Sequence, residues 1–155
     1  DNPKQVGSDL VVDAVATIQQ YKLPAIVFDM GTATTVSVID KSKTYIGGMI
    51  IPGIMVCQES LTARTSQLPK ISLEPPKKII GTNTVDCMKS GAVYGSAAMV
   101  DGIIDSIEQE LGERTTVIAT GGIAPSIMLY CKHKNIIIDN DLLLKGLRII
   151  YDKNK

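Results

Sequence analysis

The amino-acid sequence predicts an α/β fold, in which a three-stranded meander is followed by helices that alternate with strands. Two observations predict it. Apolar and β-branched residues form three strand patterns in close succession between residues 25 and 51, separated by short turns. Beyond them, helical patterns alternate with short apolar runs as far as residue 151. This alternation is typical of a sheet whose faces are covered by helices.

The first helix is predicted from Ser8 to about Tyr21. Its apolar residues recur at spacings of three and four: Val11, Val12, Ala14, Val15 and Ile18. Ser8 is a residue type preferred at a helix N-cap, and Asp9 falls in the first turn. An acidic residue there complements the helix dipole, so Asp9 has a structural explanation as well as a functional one.

Three strands are predicted next, over residues 25–28, 36–39 and 44–51. The turn between the first two reads DMGTATT. Gly31 permits a tight turn, and the threonine hydroxyls after it lie beside backbone amides that can face phosphate oxygens. Asp29 could instead cap turn amides with its side chain. The threonine-rich sequence after Asp29 favours the phosphate-binding interpretation.

The remaining elements are predicted as helices over residues 54–64, 84–111, 124–130 and 141–151, with strands over 116–119 and 136–138. Residues 68–78 are predicted to be irregular. Two glycines, Gly121 and Gly122, follow the strand at 116–119, where a flat ligand could approach the backbone or the chain could simply turn. A stripe of small residues on the long helix (Gly91, Gly95, Ala98 and Gly102) predicts tight packing or a subunit interface.

The composition excludes several classes of protein. Sixteen basic and sixteen acidic residues cancel, so no overall field attracts nucleic acid or an anionic membrane. No apolar run approaches the roughly 20 residues that cross a bilayer. The three cysteines show neither CxxC spacing nor clustering with histidine, which disfavours a zinc site and a secreted disulfide framework. We expect a cytoplasmic protein that binds neither nucleic acid nor membrane.

Seven motifs, taken in order, resemble those of the type III pantothenate kinases. They are VGSDLVVDAVA, VFDMGTATTVSVID, YIGGMIIPG, LTARTSQLP, IGTNTVDCMKSGAVYG, TGGIAP and LLLKGLRIIYDKN, and the resemblance extends from Asn2 to Asn154. It implies the actin, sugar-kinase and Hsp70-like ATPase superfamily, in which two ribonuclease-H-like lobes hold ATP. By this resemblance, residues 1–22 form a substrate-binding segment and inter-lobe helix, and residues 23–155 form the C-terminal ribonuclease-H-like lobe. The family's DxGNT phosphate loop, which belongs to the N-terminal lobe, does not occur in this sequence.

The resemblance implies a pantothenate site. Asp9 resembles the proton acceptor for the pantothenate hydroxyl, and Gly7, Ser8 and Leu10 lie along the substrate-binding segment. Thr84 resembles a pantothenate contact at a helix start. Many family members have arginine immediately after the catalytic aspartate, whereas this chain has Leu10. One possible partner for the pantothenate carboxylate is therefore missing.

The resemblance also implies an ATP site. Asp29 resembles the ligand of a monovalent cation, K⁺ or NH₄⁺, near the ATP phosphates. Thr32 resembles an ATP contact in the turn that Gly31 allows, and Gly121 and Gly122 fall near the adenosine side of the nucleotide.

The implied activity is ATP-dependent phosphorylation of pantothenate to 4′-phosphopantothenate, the first step of coenzyme A biosynthesis, with Mg²⁺ or another divalent metal. A homodimer is expected. Without the N-terminal lobe we expect the chain to be inactive. Two alternatives stay open: a non-catalytic relative acting as an accessory transcription factor, which the neutral charge disfavours, and an assembly module that pairs with a separately encoded N-terminal lobe.

Overall fold

The computed structural model describes residues 3–155 of the chain, so the first two residues of the predicted segment 1–22 lie outside the described residues. The strands are β1 (Ala25–Met30), β2 (Ala33–Ile39), β3 (Tyr45–Pro52), β4 (Thr116–Thr120) and β5 (Ile137–Ile138). The helices are α1 (Ser8–Gln20), α2 (Ile54–Arg64), α3 (Thr84–Ser90), α4 (Ser96–Leu111), α5 (Ala124–Met128) and α6 (Leu142–Lys153). A π-helical turn, Gly91–Gly95, joins α3 to α4, and a 3₁₀ turn, Pro3–Gln5, precedes α1.

The strands form one five-stranded sheet in the order β3-β2-β1-β4-β5. β1 pairs antiparallel with β2, and β2 pairs antiparallel with β3, which makes the meander. β4 pairs parallel with β1 on its other side, and β5 pairs parallel with β4. The predicted α/β fold is therefore confirmed. Because β1, β4 and β5 run in the same direction, their carboxyl ends meet at one edge of the sheet.

Helices cover both faces of the sheet, because successive side chains of a strand point to opposite faces. On one face, Ile26 and Phe28 of β1 belong to a core that also includes residues of α4 and α5. On the other face, Ala25 and Val27 belong to a smaller core with residues of α1 and α6. The molecule thus has three layers, with the sheet in the middle.

The helices α1 and α6 pack against each other at Gly146 of α6. Gly146 is buried, and a Cβ atom built on it would lie 2.1 Å from the carbonyl oxygen of Val12 on α1. A methyl group cannot occupy that position without moving one helix. The absence of a side chain at residue 146 therefore sets how closely α1 and α6 approach.

Two local predictions were wrong. Ser8 is not the N-cap of α1: it is the first helical residue, Gly7 is the N-cap, and no side chain caps this end. Asp29 does not lie in the turn but in β1, because the strand continues as far as Met30. Asp29 is paired with Thr35 on β2 and with Thr120 on β4, so neighbouring strands hold it on both sides.

The other predicted elements are present, with ends that differ by a few residues. The long helix predicted over residues 84–111 is divided by the π-helical turn at Gly91–Gly95. Residues 68–78 are irregular, as predicted. None of the helices described between residues 3 and 155 combines the length and the apolar character needed to span a membrane.

Gly146→Ala should lower the free energy of unfolding by about 1–3 kcal/mol, the usual cost of overpacking, because the new methyl group collides with the backbone of α1. The matched control is Gly102→Ala on α4, where a Cβ atom meets open space. In the monomeric chain, that change should stabilise the protein by about 0.5–1 kcal/mol through helix propensity. Urea unfolding of both variants checks the pair, and equal effects would contradict the close contact.

Candidate functional site

The candidate site lies at the carboxyl edge of the parallel strands, on the face that α1 covers. Val27 of β1 belongs to the core on that face, so Asp29, two residues later, faces the same side. Thr120 pairs with Asp29 in the parallel register and shares its orientation. A carboxylate and a hydroxyl from neighbouring strands are thereby placed side by side.

Asp9 reaches the same edge from α1. Four residues separate the end of α1 from the start of β1, so the two elements run in opposite directions. The first turn of α1 therefore lies near the end of β1. Electrostatics support this proximity. Burial is the larger cause and the charge of Asp9 the smaller cause that raise the pKa of Asp29 above its usual value.

The Asp9 side chain is exposed and lies over Gly7. A Cβ atom at Gly7 would be 2.6 Å from Oδ1 of Asp9. A larger residue at position 7 would displace the carboxylate, so Gly7 determines where it lies. An exposed carboxylate can accept a proton or orient a hydroxyl group.

Asp13 is a further polar residue of this region, and it is buried. It lies one turn after Asp9 on α1, its exposed fraction is 2%, and its Oδ1 atom has no hydrogen-bond partner. Burial, followed by the charges of Asp29, Asp9 and Asp139, raises its pKa from 3.8 to about 7. The influence of these three charges indicates that Asp13 lies near the carboxylates of the candidate site.

Asp139, just after β5, is buried but fully bonded. Its Oδ2 accepts a hydrogen bond of 2.6 Å from the Tyr21 hydroxyl and one of 2.7 Å from Nζ of Lys145. Its Oδ1 accepts a third, of 3.1 Å, from the amide of Asp141. Burial alone would raise the pKa of Asp139, but these donors hold it below its usual value. Asp139 is thus a structural carboxylate that ties α1 to α6.

Three backbone turns meet beside these carboxylates. The turn of Gly31 and Thr32 packs on Gly53, whose amide donates a hydrogen bond of 3.0 Å to the carbonyl of Thr32. A Cβ atom at Gly53 would lie 2.1 Å from that oxygen. Gly121 has a φ of +94°, and its Cβ would lie 2.6 Å from the carbonyl oxygen of Met30. Turns packed this closely can present backbone amides and the Thr32 hydroxyl to a phosphate group.

The structure brings together most of the residues singled out in the sequence. Asp9 and Asp29 share the carboxyl edge, and the turns that contain Thr32 and Gly121 adjoin it. Gly122 follows Gly121, is exposed and has open space beside it. In the first turn of α1, Ser8 is exposed and Leu10 is half-buried.

Thr84 is not joined to these residues. It begins α3, is exposed, and has no hydrogen bond to Asp9 or Asp29 among the described contacts. Met88, one turn later, belongs to the core on the face of the sheet opposite α1. The described contacts therefore do not link Thr84 directly to the carboxylates.

Sequence reasoning missed Asp13 and Asp139. The signal for Asp13 was its position: a carboxylate inside the apolar run VVDAVA, four residues after Asp9. Burying a charged side chain in a helix costs free energy unless the charge is paired or hydrogen-bonded. Nothing in the sequence indicates that Asp139 is bonded by Tyr21 and Lys145, since Tyr21 lies 118 positions away.

Oxygen atoms dominate the donors at this edge. Within residues 3–155, no three His, Cys, Asp or Glu side chains are grouped so that they could hold a metal ion. Carboxylate and hydroxyl oxygens from Asp13, Asp29 and Thr120 suit hard cations. The chain therefore offers oxygen ligands but, in its described part, no three-carboxylate cage.

A family model described as type III pantothenate kinase matches residues 1–106. The chain belongs to the type III pantothenate kinase family. It is 48% identical over 154 residues to a type III pantothenate kinase of Halalkalibacterium halodurans, an alignment that covers 99% of this chain and 60% of the relative. It is 47% identical over 157 residues to one of Exiguobacterium sp., which covers 100% of the chain and 60% of that relative. The chain thus spans about 60% of the length of these type III pantothenate kinases.

Solved structures share the fold of this member of the type III pantothenate kinase family. A Baf family transcriptional activator from Campylobacter jejuni superposes with a TM-score of 0.67 at 24% identity, covering 99% of this chain and 68% of that one. An activator of 2-hydroxyisocaproyl-CoA dehydratase from Clostridium difficile, solved with bound ADPNP, gives 0.52 at 15% identity, covering 89% of this chain and 62% of that one. At these identities the similarity concerns the fold alone.

Asp13→Asn should change how stability depends on pH. The folded chain holds the Asp13 proton up to a pKa of about 7, whereas the unfolded chain releases it near 3.8. The native protein therefore loses stability relative to the variant as pH rises from about 4 to 7, by roughly 1 kcal/mol per pH unit. Urea unfolding of both proteins at pH 5, 6 and 7 measures the difference between their free energies of unfolding. Tetramethylammonium chloride is used as the salt so that the solution contains no K⁺. A difference that stays constant would refute the raised pKa.

Proposed function

We propose that this chain forms the C-terminal portion of a pantothenate kinase, which transfers the γ-phosphoryl group of ATP to the primary alcohol of pantothenate. The strongest support is the meeting of Asp9, Asp29 and the closely packed turns of Gly31–Thr32 and Gly121 at one edge of the sheet. Family membership adds to it. Because the chain spans about 60% of its relatives, the activity belongs to the whole protein.

Asp9 would orient the pantothenate hydroxyl and accept its proton. Phosphoryl transfer depends mainly on positioning and on charge neutralisation, so the base needs above all a suitable place. Gly7 provides that place, because the Asp9 carboxylate lies directly over it. Gly7, Ser8 and Leu10 would line the pantothenate segment, with Thr84 contacting the substrate.

The turns would bind the nucleotide. The turn at Gly31 and the Thr32 hydroxyl would contact its phosphates, and Gly121 and Gly122 would adjoin its adenosine side. Gly122 has open space beside it, which leaves room for a flat group. Bound Mg²⁺-ATP supplies the phosphoryl group and the divalent ion that offsets its charge. Mg²⁺ usually takes one or two carboxylates together with phosphates and water, which is compatible with the lack of a three-carboxylate cage in residues 3–155.

Asp29 would hold a monovalent cation, K⁺ or NH₄⁺, beside the phosphates. The donor set fits such an ion: Asp29 is half-buried at the end of β1, and Thr120 offers a hydroxyl on the neighbouring strand. A cation there would offset the cost of burying the Asp29 carboxylate near Asp9.

We further propose that residues 1–22 join the two lobes of the whole enzyme, that it works in the cytoplasm, and that it is a homodimer. Support for a dimer comes from the small-residue stripe. Gly91, Gly95 and Gly102 are exposed, and a Cβ atom on each meets open space. Another backbone could therefore approach this helix closely.

The activity is testable in a chimera in which this chain replaces the aligned portion of the Halalkalibacterium halodurans relative. Pantothenate-dependent release of ADP is expected from the chimera. Asp9→Asn should lower kcat about 100-fold or more, the usual contribution of a general base. The control is Asp105→Asn on α4, an exposed carboxylate paired with His133 on the opposite layer. A folded chimera without activity would contradict the kinase proposal, and full activity of Asp9→Asn would contradict the role of the base.

The cation role has a separate test in the same chimera. Asp29→Ala should abolish the difference in rate between KCl and tetramethylammonium chloride at equal ionic strength, because the proposed ligand is gone. Asp105→Ala should retain that difference. If Asp29→Ala responds to K⁺ as the parent does, the ion lies elsewhere.

A further inference from the structure

Asp13 is a buried carboxylate that the proposed reaction does not use. Its exposed fraction is 2%, and its Oδ1 accepts no hydrogen bond. A buried polar atom without a partner costs about 1–3 kcal/mol, and most such atoms in folded proteins are satisfied by a donor, a water or an ion. Asp13 lies one turn after Asp9 on α1, the helix that covers this face of the sheet.

The charges that face Asp13 are predominantly negative. They come from Asp9 on its own helix, from Asp29 at the end of β1 and from Asp139 after β5. Lys145 of α6 is nearby, but its ammonium group is bonded to Asp139 at 2.7 Å, and the Tyr21 hydroxyl donates to the same oxygen of Asp139. Lys145 therefore neutralises Asp139. Asp13 and Asp29 both carry carboxylates and cannot neutralise each other.

Asp13 and Asp29 approach the same space from two elements. Asp29 faces the layer of α1 because of strand alternation, and Asp13 is the buried carboxylate of α1. The charge of Asp29 acts on Asp13 more strongly than any other charge does. Two carboxylates that face one another across a helix–sheet contact repel unless a positive charge lies between them.

We propose that Asp13 is a second ligand of the monovalent cation, so that the ion lies between Oδ1 of Asp13 and the carboxylate of Asp29. The inference rests on the proposed function, in which Asp29 is the one carboxylate that holds the ion. It adds a ligand from α1, and it gives the orphaned oxygen a partner. Because α1 also carries Asp9, the ion would fix the helix that positions the catalytic base relative to β1.

The chemistry favours a large monovalent cation over a divalent one. Carboxylate oxygens from Asp13 and Asp29 and the neighbouring hydroxyl of Thr120 are hard donors. The described residues contain no group of three carboxylates that would compensate a divalent charge. NH₄⁺ would donate hydrogen bonds to the same oxygens, so it should replace K⁺, whereas tetramethylammonium has no N–H donor and is too bulky.

The test measures binding of K⁺ to the 155-residue chain without nucleotide or pantothenate. Isothermal titration calorimetry with KCl at pH 8, against tetramethylammonium chloride at constant ionic strength, should detect one site. Asp13→Asn should raise the dissociation constant at least tenfold, and Asp29→Ala should do the same. Asp105→Asn, on the opposite layer, should bind K⁺ as the parent does. Equal binding by the parent and Asp13→Asn, including weak binding through surface carboxylates, would overturn the proposal.

A second measurement avoids dependence on the variant's folding. In the parent chain labelled with ¹³C-aspartate, addition of KCl at fixed pH should shift the Asp13 carboxyl resonance together with that of Asp29. A shift of Asp29 without Asp13 would overturn the second ligand and leave the role of Asp29 intact. Since neither measurement involves phosphoryl transfer, an inactive chimera with normal K⁺ binding would contradict the kinase proposal alone.

Discussion

The packing of α1 against the sheet and α6 is the constraint on which the site depends. α1 carries Asp9 and Asp13, yet no side chain caps its first turn, so its position comes from tertiary contacts rather than from local capping. Gly146 lets α6 approach the Val12 backbone, and the Tyr21–Asp139 hydrogen bond fixes the other end of α1. Helix packing therefore determines the positions of the site's carboxylates.

Two aspartates at this edge, Asp139 and Asp29, differ in pKa because their surroundings differ. Asp139 and Asp29 both follow apolar strand residues, and burial disfavours the charge of both. Asp139 receives three donors and keeps its charge, whereas Asp29 faces another carboxylate and holds its charge less readily. The first is satisfied by the fold, and the second remains able to accept a ligand.

Much of the fold is predictable because its signals are local. Hydrophobic periodicity locates the strands and helices, and the apolar run of β1 points to Asp29 at a strand end. The predictions that were wrong or missed depend on contacts between elements. The local pattern puts Asp29 in a turn, whereas pairing with Thr35 on β2 and with Thr120 on β4 extends β1 past it. The burial of Asp13 depends on a helix–sheet contact, and Ser8 loses the N-cap position to Gly7, whose lack of a side chain accommodates Asp9.

The π-helical turn between α3 and α4 changes the rotational phase of the long helix. A π turn accommodates one more residue than an α turn, which rotates α3 by about 100° about the helix axis relative to α4. Because of that rotation, Met88 on one side of Gly91–Gly95 and Val100 on the other side both reach the same core. An uninterrupted α-helix would present a different side of α3 to the sheet, so the azimuth of Thr84 is set by this single extra residue.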